Sequence, residues 1–473
     1  MQLEEFVAST PQFKKIQAGL HDGGRQLVTG VGGSAKTALL ATIQQNSKTP
    51  QVVVCDSLFH MQSLTADLEN LLPETAVYQF PVEESLSMEI ATSSPDFRLQ
   101  RVQAMNALLN GQSAVIVTAT CGLRRPLVAP EVFSDARLEI KIGGEIDPQQ
   151  TAQKLMMMGY QRQKMVMAPG DFAVRGSIID IYALNTKYPV RIDLFDTEVD
   201  SLRYFEANSQ RSVENVQAVT VLPATDLIID QQRLPALQQQ LTTEYETLHE
   251  QASDEQDARQ IENHFRPLLE GVKAGNLENG LLTYADMVYP QPANLLDYLP
   301  ADGTLIVDDF SRIKETDRDL KTDEQQWVQE RMSYHQRQNV GRLGNDAGEV
   351  ITHAQQAALF LALFKKGMGV LRFKQIVELT TRSMQQFFGQ MELLKTELQR
   401  FKEQGETVVI MTKSDERRRQ VAQTLQDFQV DALETDFADL QLHKIQLVAA
   451  NLDHGFEMPA AQLVVITEAE MFK

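Results

Sequence analysis

Residues 169–224 read PGDFAVRGSIIDIYALNTKYPVRIDLFDTEVDSLRYFEANSQRSVENVQAVTVLPA. From Val190 to Phe195 the residues alternate, with Val190, Ile192 and Leu194 on one side and Arg191, Asp193 and Phe195 on the other. Period-two alternation marks a strand with one buried face, so the aliphatic side packs inward while a charge pair and an aromatic ring point out. Phe172 to Tyr182 supplies a second strand carrying Arg175, and Asn185-Thr186-Lys187 is the turn expected to join the two as a hairpin. The stretch holds no His and no catalytic constellation. A sheet face of arginines, acids and aromatics has the make-up of a protein-docking surface.

Upstream, Ala136 to Ile142 alternates in the same way. Asp147-Pro148 then predicts an N-cap followed by proline at the first helical position, with Gly159 ending the helix. The methionines at 156–158 fit helix packing. Residues 126–224 therefore read as one β-rich α+β domain.

The rhythm differs on either side. Strand-like runs at Gln26–Thr29, Gln51–Cys55, Ala76–Phe80 and Ala114–Thr118 alternate with helical stretches such as Leu58–Leu72 and Phe97–Leu109, so residues 1–125 predict βαβ units on a parallel sheet. Residues 225–349 begin with a long polar helix, Leu234–Leu269, and a winding connection, Leu281–Pro300. The strand at Leu305 is expected to rejoin the first sheet, which makes 126–224 an insertion. Residues 350–473 restart the alternation as a separate α/β domain, with helices at Ala354–Phe364 and Met384–Glu403 and strands at Thr407–Thr412, Lys444–Ala449 and Gln462–Thr467. The fold class is thus α/β: a parallel-sheet domain interrupted by a β-rich insertion and followed by a second small α/β domain.

A chain of 473 residues has room for roughly three or four domains. Its 44 basic and 64 acidic residues give a formal charge of -20, which repels phosphate backbones, so little or no DNA binding is expected. Arg417-Arg418-Arg419 is the dense basic cluster, and it fits a solvated helix face. Cys55 and Cys121 sit beside apolar runs and read as core residues, with no metal-ligand pattern. The apolar run Ala357–Phe364 is far short of the ~18 residues a membrane span needs. Met1-Gln-Leu-Glu-Glu does not resemble a signal peptide, so a cytoplasmic location is expected.

The 169–224 stretch resembles the second domain shared by the repair protein UvrB and the N-terminal module of the Mfd family of transcription-repair coupling factors. The residues that carry the likeness are Phe172-Ala-Val-Arg175-Gly176, Ile179-Asp180-Ile181, Arg191-Ile-Asp193-Leu-Phe195, Glu198-Val199, Gln210-Arg211-Ser212 and Leu222-Pro223-Ala224. The resemblance implies that the domain binds the damage-recognition protein UvrA. By motif position it points to Arg162, Arg175, Arg191, Asp193 and Phe195 as contact residues. It also implies a chain that continues elsewhere into an RNA-polymerase-binding domain and an ATP- and Mg²⁺-using DNA translocase; whether the docking face is free or docked on that C-terminal region is left open by the sequence.

The first strand runs into Gly30-Val31-Gly32-Gly33-Ser34-Ala35-Lys36-Thr37, which is nearly a phosphate-binding loop. Ala35 stands where the pattern needs glycine for the backbone to wrap the phosphates, while Lys36 and Thr37 remain. The matching acidic pair is Asp308-Asp309, and the resembling UvrB pattern has Asp-Glu there. Damage at both motifs predicts a vestigial nucleotide loop made of Gly30, Gly33, Ala35, Lys36, Thr37, Asp308 and Asp309, with no catalytic residues and no bound cofactor. A segment matching a helicase arginine-finger motif, Gln338-Asn-Val-Gly341-Arg342-Leu-Gly344-Asn345, ends in Asn where that motif has Arg, and reads as a linker. The rival reading is an active UvrB-type ATPase or helicase acting on damaged DNA. That reading calls for a long aromatic-rich DNA-clamping hairpin, whereas Phe80–Asp96 is short and carries no Trp and no Tyr.

Overall fold

The computed structural model describes residues 1–85, 90, 94–275, 277, 279–338, 341–365, 368–369 and 371–472. Its largest sheet has seven strands, in the order Gln375–Glu378, Arg25–Thr29, Ala357–Ala362, Thr304–Asp308, Gln51–Cys55, Ala114–Ala119 and Ala76–Phe80. Every pairing in it is parallel. Parallel sheets are covered on both faces, so their strands are continuous apolar runs. Gln51–Cys55, Ala114–Ala119 and Thr304–Asp308 are accordingly buried at every position. Thr304–Asp308 lies between Gln51–Cys55 and Ala357–Ala362, so the chain comes back to the middle of the sheet after the β-rich segment.

Several expectations need correction. Ala354–Phe364 is not a helix: Ala357–Ala362 is a central strand, and a short run apolar on both faces fits either element until its surroundings are known. Since Ala357–Ala362 and Gln375–Glu378 both belong to the large sheet, the first body runs well past residue 349, and the second α/β body begins with the strand Arg382–Ser383. The polar helix is two helices, Leu234–Glu250 and Glu255–Ala274, the latter capped by Asp254. The helicase-like segment is no free linker. A Cβ on Gly341 would lie 1.8 Å from Asp286 Oδ2, and one on Gly344 would lie 3.0 Å from the Arg124 carbonyl oxygen, so these glycines permit close packing. Residues 339 and 340 of that segment, and 86–89 and 91–93 of the Phe80–Asp96 stretch, lie outside the described residues.

The inserted domain holds a six-stranded sheet in the order Ser212–Asn215, Glu198–Phe205, Val190–Phe195, Ile178–Ile181, Asp171–Arg175 and Gln161–Arg162. A second sheet pairs Ala218–Val221 with Leu138–Lys141. Phe172, Ile179, Ile181, Val190, Ile192 and Leu202 close a core with Leu155 of the helix Pro148–Met157 and with Met158, its C-cap. Asp147 Oδ1 caps that helix by accepting from the amides of Gln149 and Gln150 at 2.9 and 2.7 Å. The expected single strand Phe172–Tyr182 is itself a hairpin, Asp171–Arg175 and Ile178–Ile181, turned at Gly176 with φ 61°. Glycine takes that left-handed conformation without a Cβ clash.

The second α/β body orders its strands as Arg382–Ser383, Phe456–Met458, Leu463–Thr467, Thr407–Thr412, Ile445–Ala449 and Leu433–Glu434. Strand alternation splits its apolar residues. Val408, Ile410, Val464 and Ile466 pack under its own helices with Leu394, Leu398 and Phe401. Val409, Met411, Val448 and Val465 join the core of the first body. Arg417 pairs with Glu468 and Arg418 with Asp415 and Glu434, as a solvated basic face does. Both cysteines are free and buried. Among the described residues, no helix is long and apolar enough to cross a membrane.

The chain leaves the inserted domain through a buried ion cluster. Arg101 Nη2 lies 2.9 Å from Asp226 Oδ1, Arg125 Nε donates to Asp226 Oδ2, and Arg101 Nη1 donates to the Pro81 carbonyl at 2.9 Å. Burial pushes the Asp226 carboxyl up, but the two adjacent guanidiniums outweigh it and hold it well below the usual carboxylate range. Asp226→Ala should cost about 3–5 kcal/mol, because it strands two buried cations; urea unfolding midpoints measure this. The Asp226 contribution should be complete above the ordinary carboxylate value of about 4 and fade as pH falls toward the lower folded value.

Candidate partner-docking face

Register decides which side chains share a face. Asp180 pairs with Ala173 on one side and Arg191 on the other, and Arg191 pairs with Arg203. One pleat along, Ile178 pairs with Arg175 and with Asp193. Paired residues in a sheet lie on one side, so Arg175, Asp180, Arg191, Asp193 and Arg203 all line the face opposite the apolar core. Along Val190–Phe195 the burial alternates as the sequence predicts, and Phe195, at the hairpin end, is 78% exposed.

The charges of this face are organised around Asp180, which sequence reading had noted only as part of a motif. Its side chain is 1% exposed. Arg191 Nε donates to Asp180 Oδ1 at 2.6 Å and Arg191 Nη2 donates to Asp180 Oδ2 at 2.8 Å, a two-pronged pair. Arg175 Nη2 also donates to Asp180 Oδ2. The Arg191 guanidinium is braced further, by Gln210 Oε1 at 2.7 Å and by the Phe205 ring, whose centroid is 4.3 Å away. Its bond to Asp180 raises the Arg191 pKa, against the opposing effect of burial. Only 14% of the Arg191 side chain is exposed, against 45% for Arg175. Asp193 accepts from Ser201 Oγ at 2.8 Å and from Arg203, so it too is tied within the sheet.

The structure therefore sorts the predicted contact residues. Phe195 and Arg175 are presented outward, while Arg191 and Asp193 are bound into the face that presents them. Arg162 stands apart. It pairs with Phe172, whose ring is in the core, so register puts it on the other side of the sheet, exposed at the edge.

The loop Gly30–Thr37 joins the strand Arg25–Thr29 to a helix, and its cation is engaged within the protein. Gly30 and Gly33 take positive φ of 87° and 53°, and the helix Ser34–Ser47 begins directly after. Ala35 and Thr37 are buried. Lys36 Nζ donates to Asp308 Oδ1 at 2.5 Å. His60 Nε2 approaches the other Asp308 oxygen to 3.3 Å, and its Nδ1 is 2.9 Å from Asp56 Oδ1. That bond to Asp56 raises the His60 pKa and helps hold Asp56 down to about 2. Asp309 is the N-cap of the helix Phe310–Ser333, accepting from the Arg312 amide at 3.3 Å.

Across the same loop lies a turn of the second α/β body, which no local sequence signal pointed to. Ser34 Oγ donates to Asp67 Oδ2 at 2.7 Å and accepts from the His454 amide at 3.1 Å. The Asp453 amide donates to Asp67 Oδ1 at 2.8 Å, and Ser63 Oγ donates to Asp453 Oδ2 at 3.0 Å. Burial raises the Asp67 pKa. Among the described residues, no cluster of His, Cys, Asp and Glu has the geometry to hold a metal ion.

An interaction-type β-rich domain carried on α/β bodies is the class that this geometry defines. Residues 138–227 match the family described as the UvrB interaction domain, and residues 399–471 match the family described as the MFD D3 domain. The transcription-repair-coupling factor of Bacillus subtilis is 33% identical over 473 residues, all of this chain and 40% of that protein. That of Staphylococcus epidermidis is 30% identical over 456 residues, 94% of this chain and 38% of that protein. The chain is thus similar to transcription-repair-coupling factors along its length and spans about two-fifths of the length of these relatives.

Arg191→Ala should lower folding stability by about 3 kcal/mol, since it leaves the buried Asp180 carboxylate short of its main partner. Phe195→Ala, at an exposed position, should stay within about 0.5 kcal/mol of the parent. Chemical denaturation followed by circular dichroism separates the two.

Proposed function

We propose that this chain is a docking module of transcription-repair coupling, and that its inserted domain recruits the nucleotide-excision-repair protein UvrA. The observation that carries this reading is the overlap of two facts. The UvrB interaction domain match covers residues 138–227, and the outer face of the sheet in that span offers an exposed aromatic ring, Phe195, on the same side as an outward guanidinium, Arg175. Aromatic rings and arginines are the side chains that dominate binding energy at protein interfaces. Contact with RNA polymerase, and the ATP and Mg²⁺ used for DNA translocation, we assign to other parts of the full-length family members. The net charge of -20 supports a protein partner over nucleic acid.

The rival ATPase reading has less support. Lys36, which would reach the phosphates, is held by Asp308, and the acid following it caps a helix. The turn bearing Asp453 and His454 bonds to Asp67 and Ser34 beside the loop. We read the loop as a structural joint that needs no bound nucleotide.

Titrating the purified chain with UvrA is the direct test. The parent should bind saturably, with Arg175→Ala and Phe195→Ala each weakening affinity about tenfold or more. Equal binding by the parent and both variants would overturn the assignment of this face. In a parallel assay the chain should hydrolyse no ATP above background; hydrolysis abolished by Lys36→Ala would favour the ATPase instead.

A further inference from the structure

The outer face carries an imbalance that the docking reading leaves unused. Asp180 supplies one negative charge to two guanidiniums, Arg175 and Arg191, while Asp193 and Arg203 form a neutral pair beside them. The excess positive charge belongs to the cluster as a whole, but the two arginines expose it unequally. Arg191 is fixed on both sides, by the two-pronged bond to Asp180 and by Gln210 and Phe205, and is nearly covered. Arg175 touches the same carboxylate through one nitrogen, Nη2, and remains 45% exposed. A guanidinium has five N–H donors in a rigid fork, so an arginine tethered by one of them keeps others free to donate outward in a fixed direction.

We propose that Asp180 is the positioning residue of the docking face: it holds Arg175 so that the remaining N–H groups meet a carboxylate on the docked protein. Arg191 is the brace that keeps Asp180 in place under the surface. The partner surface that fits is an acidic side chain set opposite Arg175, close to an apolar seat for the Phe195 ring. Without the tether, a long flexible side chain must be ordered at the moment of binding, and that lost freedom is subtracted from the affinity. This inference rests on the docking reading above, because it assumes that Arg175 meets the partner.

The test is a double-mutant cycle on the full chain, with UvrA as the titrant and circular dichroism and unfolding midpoints as controls for folding. Asp180→Asn removes the charge at constant shape and should weaken binding about tenfold in the parent background. On an Arg175→Ala background the same substitution should change affinity by less than about twofold, since the residue it positions is gone. A purely structural role would move both backgrounds equally, so equal losses overturn the proposal, as does a loss under about twofold in the parent. If Asp180→Asn does not fold, Asp180→Glu, which keeps the charge but displaces it by a methylene, takes its place under the same two criteria. Parent-like binding by both Arg175→Ala and Phe195→Ala overturns the docking reading and this inference together. Weakening by those two without any effect at Asp180 overturns this inference alone.

Discussion

Carboxylates buried among guanidiniums hold this chain together at the places where its parts meet. Asp226, enclosed by Arg101 and Arg125, joins a helix of the first body to the strand-free segment by which the chain leaves the inserted domain. A buried charge is costly unless it is fully paired, so such a cluster tolerates few alternative arrangements. Geometry of this kind specifies where the insertion departs from the sheet. Asp180 repeats the device on a smaller scale within the insertion, where two arginines from neighbouring strands converge on one acid. Arg124 inverts it between the helix Thr120–Arg124 and the helix Phe310–Ser333, one guanidinium donating to Asp317 at 2.8 Å and to Glu324.

Much of the architecture was legible because the signals were local. The alternation at Val190–Phe195, the Asp147-Pro148 helix start and the apolar runs of the parallel strands each depend on neighbours within a few residues. Ala357–Ala362 misled for the converse reason. A six-residue run buried on both faces has no period to read, and only its partners at Arg25–Thr29 and Thr304–Asp308 make it a strand. The same holds for the hairpin turned at Gly176: one continuous apolar pattern conceals a reversal that a single glycine permits. At the site, residue types were readable and their partners were not. Arg175, Arg191 and Asp193 were picked out as a group, yet the acid that organises them is visible only once strand register is known. Arg162 matched a motif in the sequence but lies across the sheet from the others.

Two polar side chains of the Gly30–Thr37 loop, Ser34 and Lys36, are engaged by contacts within the protein. Lys36 meets Asp308 at the end of the strand Thr304–Asp308, while Ser34 and Asp67 of the helix Leu58–Leu71 each accept a main-chain amide of the second α/β body. The loop keeps its glycine conformations because the strand-to-helix connection still needs them.

The partition of the apolar cores has a consequence for motion. One continuous core includes residues of the large sheet and of the second α/β body, whereas the inserted domain closes a core of its own. Groups that share a core open together, and groups that do not can open separately. The inserted domain is thus a cooperative unit in its own right. It can loosen while the large sheet and the strands of the second α/β body packed on its core stay folded.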